Sequence, residues 1–291
     1  MIDLHLHTTA SDGRLSAGEL VARAAAAGLT TISVTDHDTV AAIDEVTTVA
    51  KGVNIRVVTG IEVTAVDDGR DVHMLGYFFD PRSAPLAAVL VRQRALRVAR
   101  VREIGARLSA LGMEVDVESV LLKAAVRPGS SVGRPQVARE LIRAGYVASV
   151  QEAFDKWLAT GRPAFIPRTG PSPAAIVDAM HDAGGVASMA HPGVTRRDEL
   201  IAPLASSGMD AIEVYHSDHT PEDQHHYQVI AHRHGLLITG GSDFHGDDLD
   251  VPALPAVALA KAGRAKRGIL GVVSLPAPAF AALEHKVSSR R

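Results

Sequence analysis

The sequence predicts an α/β barrel of parallel strands joined by helices, interrupted by one inserted helical subdomain. Three observations carry this reading. Short apolar, β-branched runs alternate with helix-patterned stretches in both halves of the chain. Between the halves lies a long stretch with helical pattern and no strand. Apolar run after apolar run ends in a histidine or a carboxylate, as strands do at the mouth of a barrel where active sites form. At 291 residues the chain has the length of one such barrel carrying an insertion.

The elements follow in order. "MIDLHL" is the first strand and "SAGELVARAAAAG" the first helix; Ser16 and Glu19 have the spacing of a capping box, and Gly28 suits the position that ends the helix. "TTISVTD", "VAAIDEVTTVAKG" and "NIRVVTGIEV" continue the alternation. It resumes with "PAAIVDAMHDAGG" before "VASMAHP", "DELIAPLASSG" before "DAIEVYH", and "PEDQHHYQVIAHRHG" before "LLITGGSDFH". At least six strand and helix units result. Residues 85–160 read as the insertion, and 1–84 with 161–291 as the barrel. Within the insertion Val91, Ala95, Val98, Val101, Ile104, Leu108 and Leu111 recur every three or four residues, which predicts one amphipathic helix. Its arginines, Arg92, Arg94, Arg97, Arg100, Arg102 and Arg107, are expected on a solvated face. The Gly-Gly of "TGGSD" reads as a turn. The last forty or so residues, from "VPALPAVALAKAGRAKRG" onward, are expected to pack on the barrel and to end in a frayed "SSRR" tail.

Composition narrows the function. A net charge of −3 offers no field for duplex DNA, which leaves small anionic ligands as the expected partners. With no cysteine, disulfides and thiolate metal sites are excluded, so any metal must be held by nitrogen and oxygen. No window offers 18 uninterrupted apolar residues to cross a membrane, and the N-terminus has no signal-peptide pattern, so a cytoplasmic protein is expected.

The 14 histidines are the informative excess. In a strand, residues two apart point to one side and lie roughly 6.6 Å apart, so His5 and His7 can lean onto one ion. A single such pair says little, but it is repeated: "TISVTDHD" carries Asp36, His37 and Asp38, "VVTGIE" ends in Glu62, "DVHMLGYF" carries His73, "VASMAHP" ends in His191, and "LLITGGSDFH" ends in Asp243 and His245. Together with Asp12, these imidazoles and carboxylates are too many for one ion, and about two or three divalent cations fit better. The nitrogen and oxygen donors suit manganese, iron or zinc, and manganese is the expected ion. Glu62 is the natural bridge between two ions.

"DLHLHTTASDG", "TDHD", "GIE", "HMLGY", "AHP" and "GSDFH", in that order and at those intervals, resemble the motifs of the PHP (polymerase and histidinol phosphatase) family. "GRPQVARELIRAGYVASVQEAFDKWLATGRPAFIP" is similar to its stand-alone bacterial phosphoesterases acting on nucleotides. That resemblance implies a distorted barrel of about seven strands, a (β/α)7 PHP barrel, with a trinuclear centre. One ion would be held by His5, His7, Glu62 and Asp243, a second by Glu62, His73 and His191, and a third by Asp12, His37 and His245. Gln136 stands where relatives often have histidine.

The expected chemistry is hydrolysis of a phosphate ester by in-line attack of a metal-bridging hydroxide, with Asp243, Glu62, His191 and His216 as the catalytic group. Asp36 and Asp38 are candidates to orient ligands. Ser131, Arg134, Arg168 and His219 are the expected substrate contacts, arginine because its planar fork matches phosphate oxygens. The leading substrate is a 3′,5′-bisphosphonucleotide, losing its 3′-phosphate, or a 5′-mononucleotide. Alternatives are short RNA trimmed from its 5′ end and a non-catalytic metal-stabilised module. Sparse aromatic residues, 4% of the chain, argue for short substrates.

Overall fold

The computed structural model describes residues 1–246 and 269–290. Seven strands lie side by side in chain order: β1 (Ile2–Leu6), β2 (Thr31–Val34), β3 (Arg56–Asp67), β4 (Arg70–Tyr77), β5 (Val186–Met189), β6 (Ala211–His216) and β7 (Leu237–Gly241). The last strand returns to the first. Leu6 bridges Phe244, the His7 N–H donates to the Phe244 carbonyl at 3.0 Å, and the Asp3 carboxylate accepts from the main-chain N–H of His5 and Ser242 at 3.2 and 2.9 Å. The sheet is thereby a nearly closed barrel.

Closure requires backbone to approach backbone. A Cβ on Gly241 would fall 2.3 Å from the His5 main-chain nitrogen, and one on Gly240 would fall 2.7 Å from Tyr215 Cβ. The two glycines therefore lie inside β7 as contact points, where a turn had been expected.

The parallel expectation needs a second correction. β1, β2 and β3 are parallel, as are β5, β6 and β7, but β4 runs antiparallel to both its neighbours. Asp68 and Gly69, at φ 48° and 70°, turn β3 directly into β4, the paired left-handed geometry of a tight hairpin. His73 consequently sits in the first half of β4, yet at the same mouth as the strand ends around it.

Helices α1 (Ala17–Ala26) and α2 (Ile43–Lys51) cover β1 and β2, with Leu20, Val21, Ala24 and Val46 packed around Leu6, Ile32 and Val34. The Ser16 and Glu19 capping box is formed, and Gly28 follows α1 at φ 75°. Between β4 and β5 come α3 (Ala84–Ala110), α4 (Val117–Ala125), α5 (Arg134–Arg143), α6 (Val150–Ala153) and a π turn (Phe154–Leu158). These share a core of their own that includes Val101, Ile104, Leu108, Val137, Leu141 and Leu158. α7 (Pro173–Asp182) leads into β5, α8 (Pro192–Thr195) and α9 (Ile201–Ser206) follow β5, α10 (Pro221–His234) follows β6, and α11 (Ala277–Ser288) is the last helix described. Its Phe280, Leu283 and Val287 close the end where the parallel strands begin, against Leu4, Val186 and Ala211.

α3 buries Val101, Ile104 and Leu108 and exposes Arg92, Arg102 and Arg107 as expected, but departs from the expected face elsewhere. Gln93, Arg97 and Arg100 are buried, the two arginines at 6% and 7% exposure, while Val91 and Leu111 are exposed. The reason is polar: the helix rests on the barrel through Asp38 and the carbonyls of Thr64 and Ile166, which need donors. The tail also differs, since Arg290 pairs with buried Asp210 at 2.6 Å. "VPALPAVALAKAGRAKRG" lies outside the described residues. Among the described residues no helix is long and apolar enough to cross a membrane.

Candidate metal centre

Glu62, near the middle of β3 and 1% exposed, is the hub. Its Oε2 lies 3.3 Å from His5 Nε2, 3.3 Å from His7 Nε2 and 3.1 Å from His37 Nδ1. Its Oε1 lies 2.7 Å from His73 Nδ1 and 3.1 Å from His191 Nε2. Asp243 adds its Oδ1 at 3.4 Å from His5 Nε2 and 3.1 Å from His7 Nε2. On the outer side Asp12 approaches His7, His37 and His245 at 3.7, 3.6 and 3.2 Å.

All nine expected ligands thus gather at one mouth, and their donor atoms form groups with the spacing of cation sites: His5, His7, Glu62 and Asp243; His7, Asp12, His37 and His245; His37, Glu62 and His73. The second expected set is arranged differently from its expectation, with His37 beside Glu62 and His73. His191 reaches the same carboxylate from the other side.

The donors test whether ions fit. His5 Nε2, both nitrogens of His7, His37 Nδ1 and Glu62 Oε2 are buried and make no hydrogen bond although other donor atoms lie close by. Buried polar atoms left unpaired are costly. Lone pairs converging without hydrogen-bond geometry are what a shared cation satisfies.

Electrostatics agree. Burial disfavours charge on the His5, His7, His37 and His191 rings. At His5, Glu213, Asp243 and Glu62 outweigh it and hold the ring well above its ordinary pKa, and at His7 Asp243 and Glu62 raise it to about 10. At His37 and His191 burial wins, lowering them to about 3 and about 4. Positive charge is wanted at the centre and neutral rings at its edge, and divalent cations held by neutral imidazoles meet both demands.

Backbone strain marks the same places. His191, Asp243 and Asp38 have φ of 27°, 54° and 53°, a region that side chains with a Cβ rarely adopt. Asp36 accepts from the Thr8 main chain and hydroxyl and from Ser11, so it shapes the loop that carries Asp12. Asp38 is bound by Arg97 and by the Thr64 N–H at 2.9 Å.

The other expected contacts have mixed fates. His216 is buried, accepts the Asp218 N–H on Nδ1 at 3.1 Å and turns Nε2 to Asp243 Oδ2 at 3.4 Å. His219 is engaged otherwise: Nδ1 donates to the Val214 carbonyl and Nε2 accepts from the Gly193 N–H. Both nitrogens are spent on the fold, which corrects its reading as a substrate contact. Ser131 shares a narrow cleft with Asp12, His37, Arg97 and Gln136, and its buried hydroxyl makes no hydrogen bond. Gln136 bonds the Gly133 N–H and the Ser11 carbonyl.

Arg134 lies 3.3 Å from Asp71 and against the rings of Phe154 and Phe165. Arg168 joins Arg97 and Arg100 in lining a cavity of about 150 Å³ between α3 and residues 166–169. Among the described residues these three arginines and Arg134 pair with Asp38 and Asp71, and Glu103 also lines the cavity. Both terminal nitrogens of Arg100 and the Nε of Arg168 are buried without a hydrogen bond. Burial, then the neighbouring Arg97, pushes Arg168 down to about 9; burial, then Arg134, pushes Arg100 down to about 10. The lining thus carries more guanidinium than carboxylate charge, and the cavity shares Arg97 with the cleft at Asp12 and His37.

Sequence reasoning missed three residues. Arg97 and Arg100 look like solvated helix charges. Glu213, wholly buried in β6, contacts His5 and His191, and its only sequence signal is a carboxylate inside the apolar run "AIEV".

Comparison with known proteins places this geometry. Residues 3–155 match the family described as PHP domain. A 5′-3′ exoribonuclease of Haemophilus influenzae is 35% identical over 248 residues, 84% of this chain and 89% of that protein. A 3′,5′-nucleoside bisphosphate phosphatase of Chromobacterium violaceum is 34% identical over 249 residues, 84% of this chain and 87% of that one. A solved structure from Bifidobacterium adolescentis superposes with a TM-score of 0.84 at 30% identity, covering 98% of this chain and 96% of the other. The chain belongs to the PHP domain family.

Proposed function

We propose that this chain is a metal-dependent phosphoesterase that removes the 3′-phosphate of 3′,5′-bisphosphonucleotides and leaves the 5′-mononucleotide. The observation that carries the choice is the pairing of two anion-seeking sites: the imidazole and carboxylate cluster around Glu62, and the cavity where Arg100 and Arg168 hold buried donors that make no hydrogen bond and reach Asp71 only at ion-pair distance. A substrate with two phosphates answers both. Divalent ions held by His5, His7, Asp12, His37, Glu62, His73, His191, Asp243 and His245 would offset phosphoryl charge and supply hydroxide near neutral pH.

The chain's own groups do the rest. Glu62 offers one oxygen to each side of the cluster and fixes the spacing between cation sites. His216 accepts the Asp218 amide on Nδ1, so its Nε2–H faces the centre and is fitted to donate a hydrogen bond to the departing oxygen. Arg168 and Arg100 clamp the phosphate that stays. Ser131 lines the cleft with Asp12 and His37, and Arg134 shares Asp71 with Arg168. Manganese suits the donor set first, and residues 85–160 act as a subdomain over the mouth.

A second reading, 5′-to-3′ hydrolysis of short RNA, is favoured by the relative from Haemophilus influenzae, and it uses the same two sites with a nucleotide as leaving group. Among the described residues no aromatic side chain lines the cavity to stack a longer strand. Incubating the manganese-loaded protein with 3′,5′-bisphosphoadenosine, AMP and a short 5′-phosphorylated RNA separates the readings. Fast phosphate release from the bisphosphate supports the proposal, preferential nucleotide release supports the second reading, and no turnover refutes both. Arg168→Met should raise KM for the bisphosphate by about 10- to 100-fold, the weight of a lost charge-assisted hydrogen bond.

A further inference from the structure

We infer that Glu213 is the positioning residue of the centre: one carboxylate sets the ring tautomer of His5 and pins the backbone of His191, so aiming ligands that reach Glu62 from opposite sides. The inference rests on the metal-centre reading above.

Glu213 lies in β6 between Ile212 and Val214, fully buried and shielded from bulk solvent. Its charge must be met by donors, and two are present. Oε1 lies 2.9 Å from His5 Nδ1, and Oε2 accepts the His191 main-chain N–H at 2.8 Å. Facing a carboxylate, His5 Nδ1 must carry the proton, because two acceptors cannot share a bond. The Nε2 lone pair is thereby left for the cluster, where it lies 3.3 Å from Glu62 Oε2 and 3.4 Å from Asp243 Oδ1. The second bond acts on a different element. His191 follows β5 at φ 27° and ψ 59°, and its Nε2 reaches Glu62 Oε1 only from that turn. Holding its amide holds the turn.

His5, Glu213 and His216 also have cation-site spacing. Both Glu213 oxygens are engaged by N–H groups, however, and His5 turns its other nitrogen to the cluster. The geometry is that of an orienting carboxylate behind a ligand, a role whose removal costs 10- to 100-fold in metal affinity.

Glu213→Gln tests this. Its amide oxygen can still accept from His191, while its NH2 faces His5 Nδ1 as a donor and drives the ring proton onto Nε2. Manganese binding by titration calorimetry should weaken about 10- to 100-fold, kcat should fall with it and KM should stay near the parent value, beside whatever fall in the metal-free Tm the loss of a buried charge brings. A lower metal-free Tm with unchanged affinity marks a merely structural residue and overturns the inference. Should the variant not fold, the long-range 15N spectrum of the zinc-loaded parent protein decides: a proton on His5 Nδ1 with Nε2 bound to zinc is expected, and the reverse overturns it. A parent protein that takes up neither manganese nor zinc refutes the metal-centre reading itself, which separates the two failures.

Discussion

At the scale of residues, Glu62 organises the centre because five imidazoles, on β1, after β2, on β4 and after β5, direct nitrogens at its two oxygens. Glu62→Gln keeps shape and removes the charge that draws cations in. It should lower kcat/KM on 3′,5′-bisphosphoadenosine by more than about 100-fold, beyond the loss caused by an outer partner of a ligand, with an unchanged circular dichroism spectrum. Activity near the parent value would remove Glu62 from the chemistry. Much of this site is legible in the sequence, since strand-end histidines and carboxylates must converge once the strands do. Glu213 is not, because a lone carboxylate in a strand does not say what it faces. Arg97 and Arg100 are hidden by their context: a charge on a helix is ordinarily solvated, and only the packing of α3 against Asp38 reverses that.

At the scale of elements, the mouth depends on β7 closing against β1. Gly241→Ala would put a methyl group 2.3 Å from His5 and 2.8 Å from Asp3. Overpacking of this kind costs about 1–3 kcal/mol, so Tm should drop by several degrees, and manganese affinity should weaken with it because His5 moves. Calorimetric melting with and without manganese checks both. The alternation of apolar runs revealed these strands but not their directions, since period-2 patterning is identical in parallel and antiparallel strands. The Asp68-Gly69 pair between β3 and β4 held the missing information: at a two-residue connection only an antiparallel return is sterically open. The same residues explain how His73, early in its strand, meets side chains that end theirs.

At the scale of the molecule, the chain's end is tied to its barrel through Asp210. This carboxyl, just before β6, accepts from His181 at 2.8 Å, the Ala187 N–H at 3.0 Å and Arg290 at 2.6 Å. Burial would raise its pKa, but the His181, Ala187 and Arg290 hydrogen bonds outweigh burial and hold it below the usual carboxylate range. A carboxyl depressed in the fold stabilises at pH above its unfolded value of about 3.9, and that contribution is lost as pH falls through the folded value. Asp210→Asn should therefore destabilise by about 3 kcal/mol near neutrality, with the gap to the parent narrowing below about pH 4. Urea melts across that range measure it, and a gap independent of pH contradicts the assignment. The molecule-wide consequence of the metal centre is linkage: ions that bind only the folded chain stabilise it by about 2.7 kcal/mol at a hundredfold excess over Kd, so chelation should lower Tm reversibly. The most direct test of the whole account is the metal content of the purified, manganese-reconstituted protein by mass spectrometry, paired with its Tm before and after chelation. More than one tightly held divalent ion per chain, with a fall in Tm on their removal, is predicted; a protein that holds none and melts alike in either condition would contradict it.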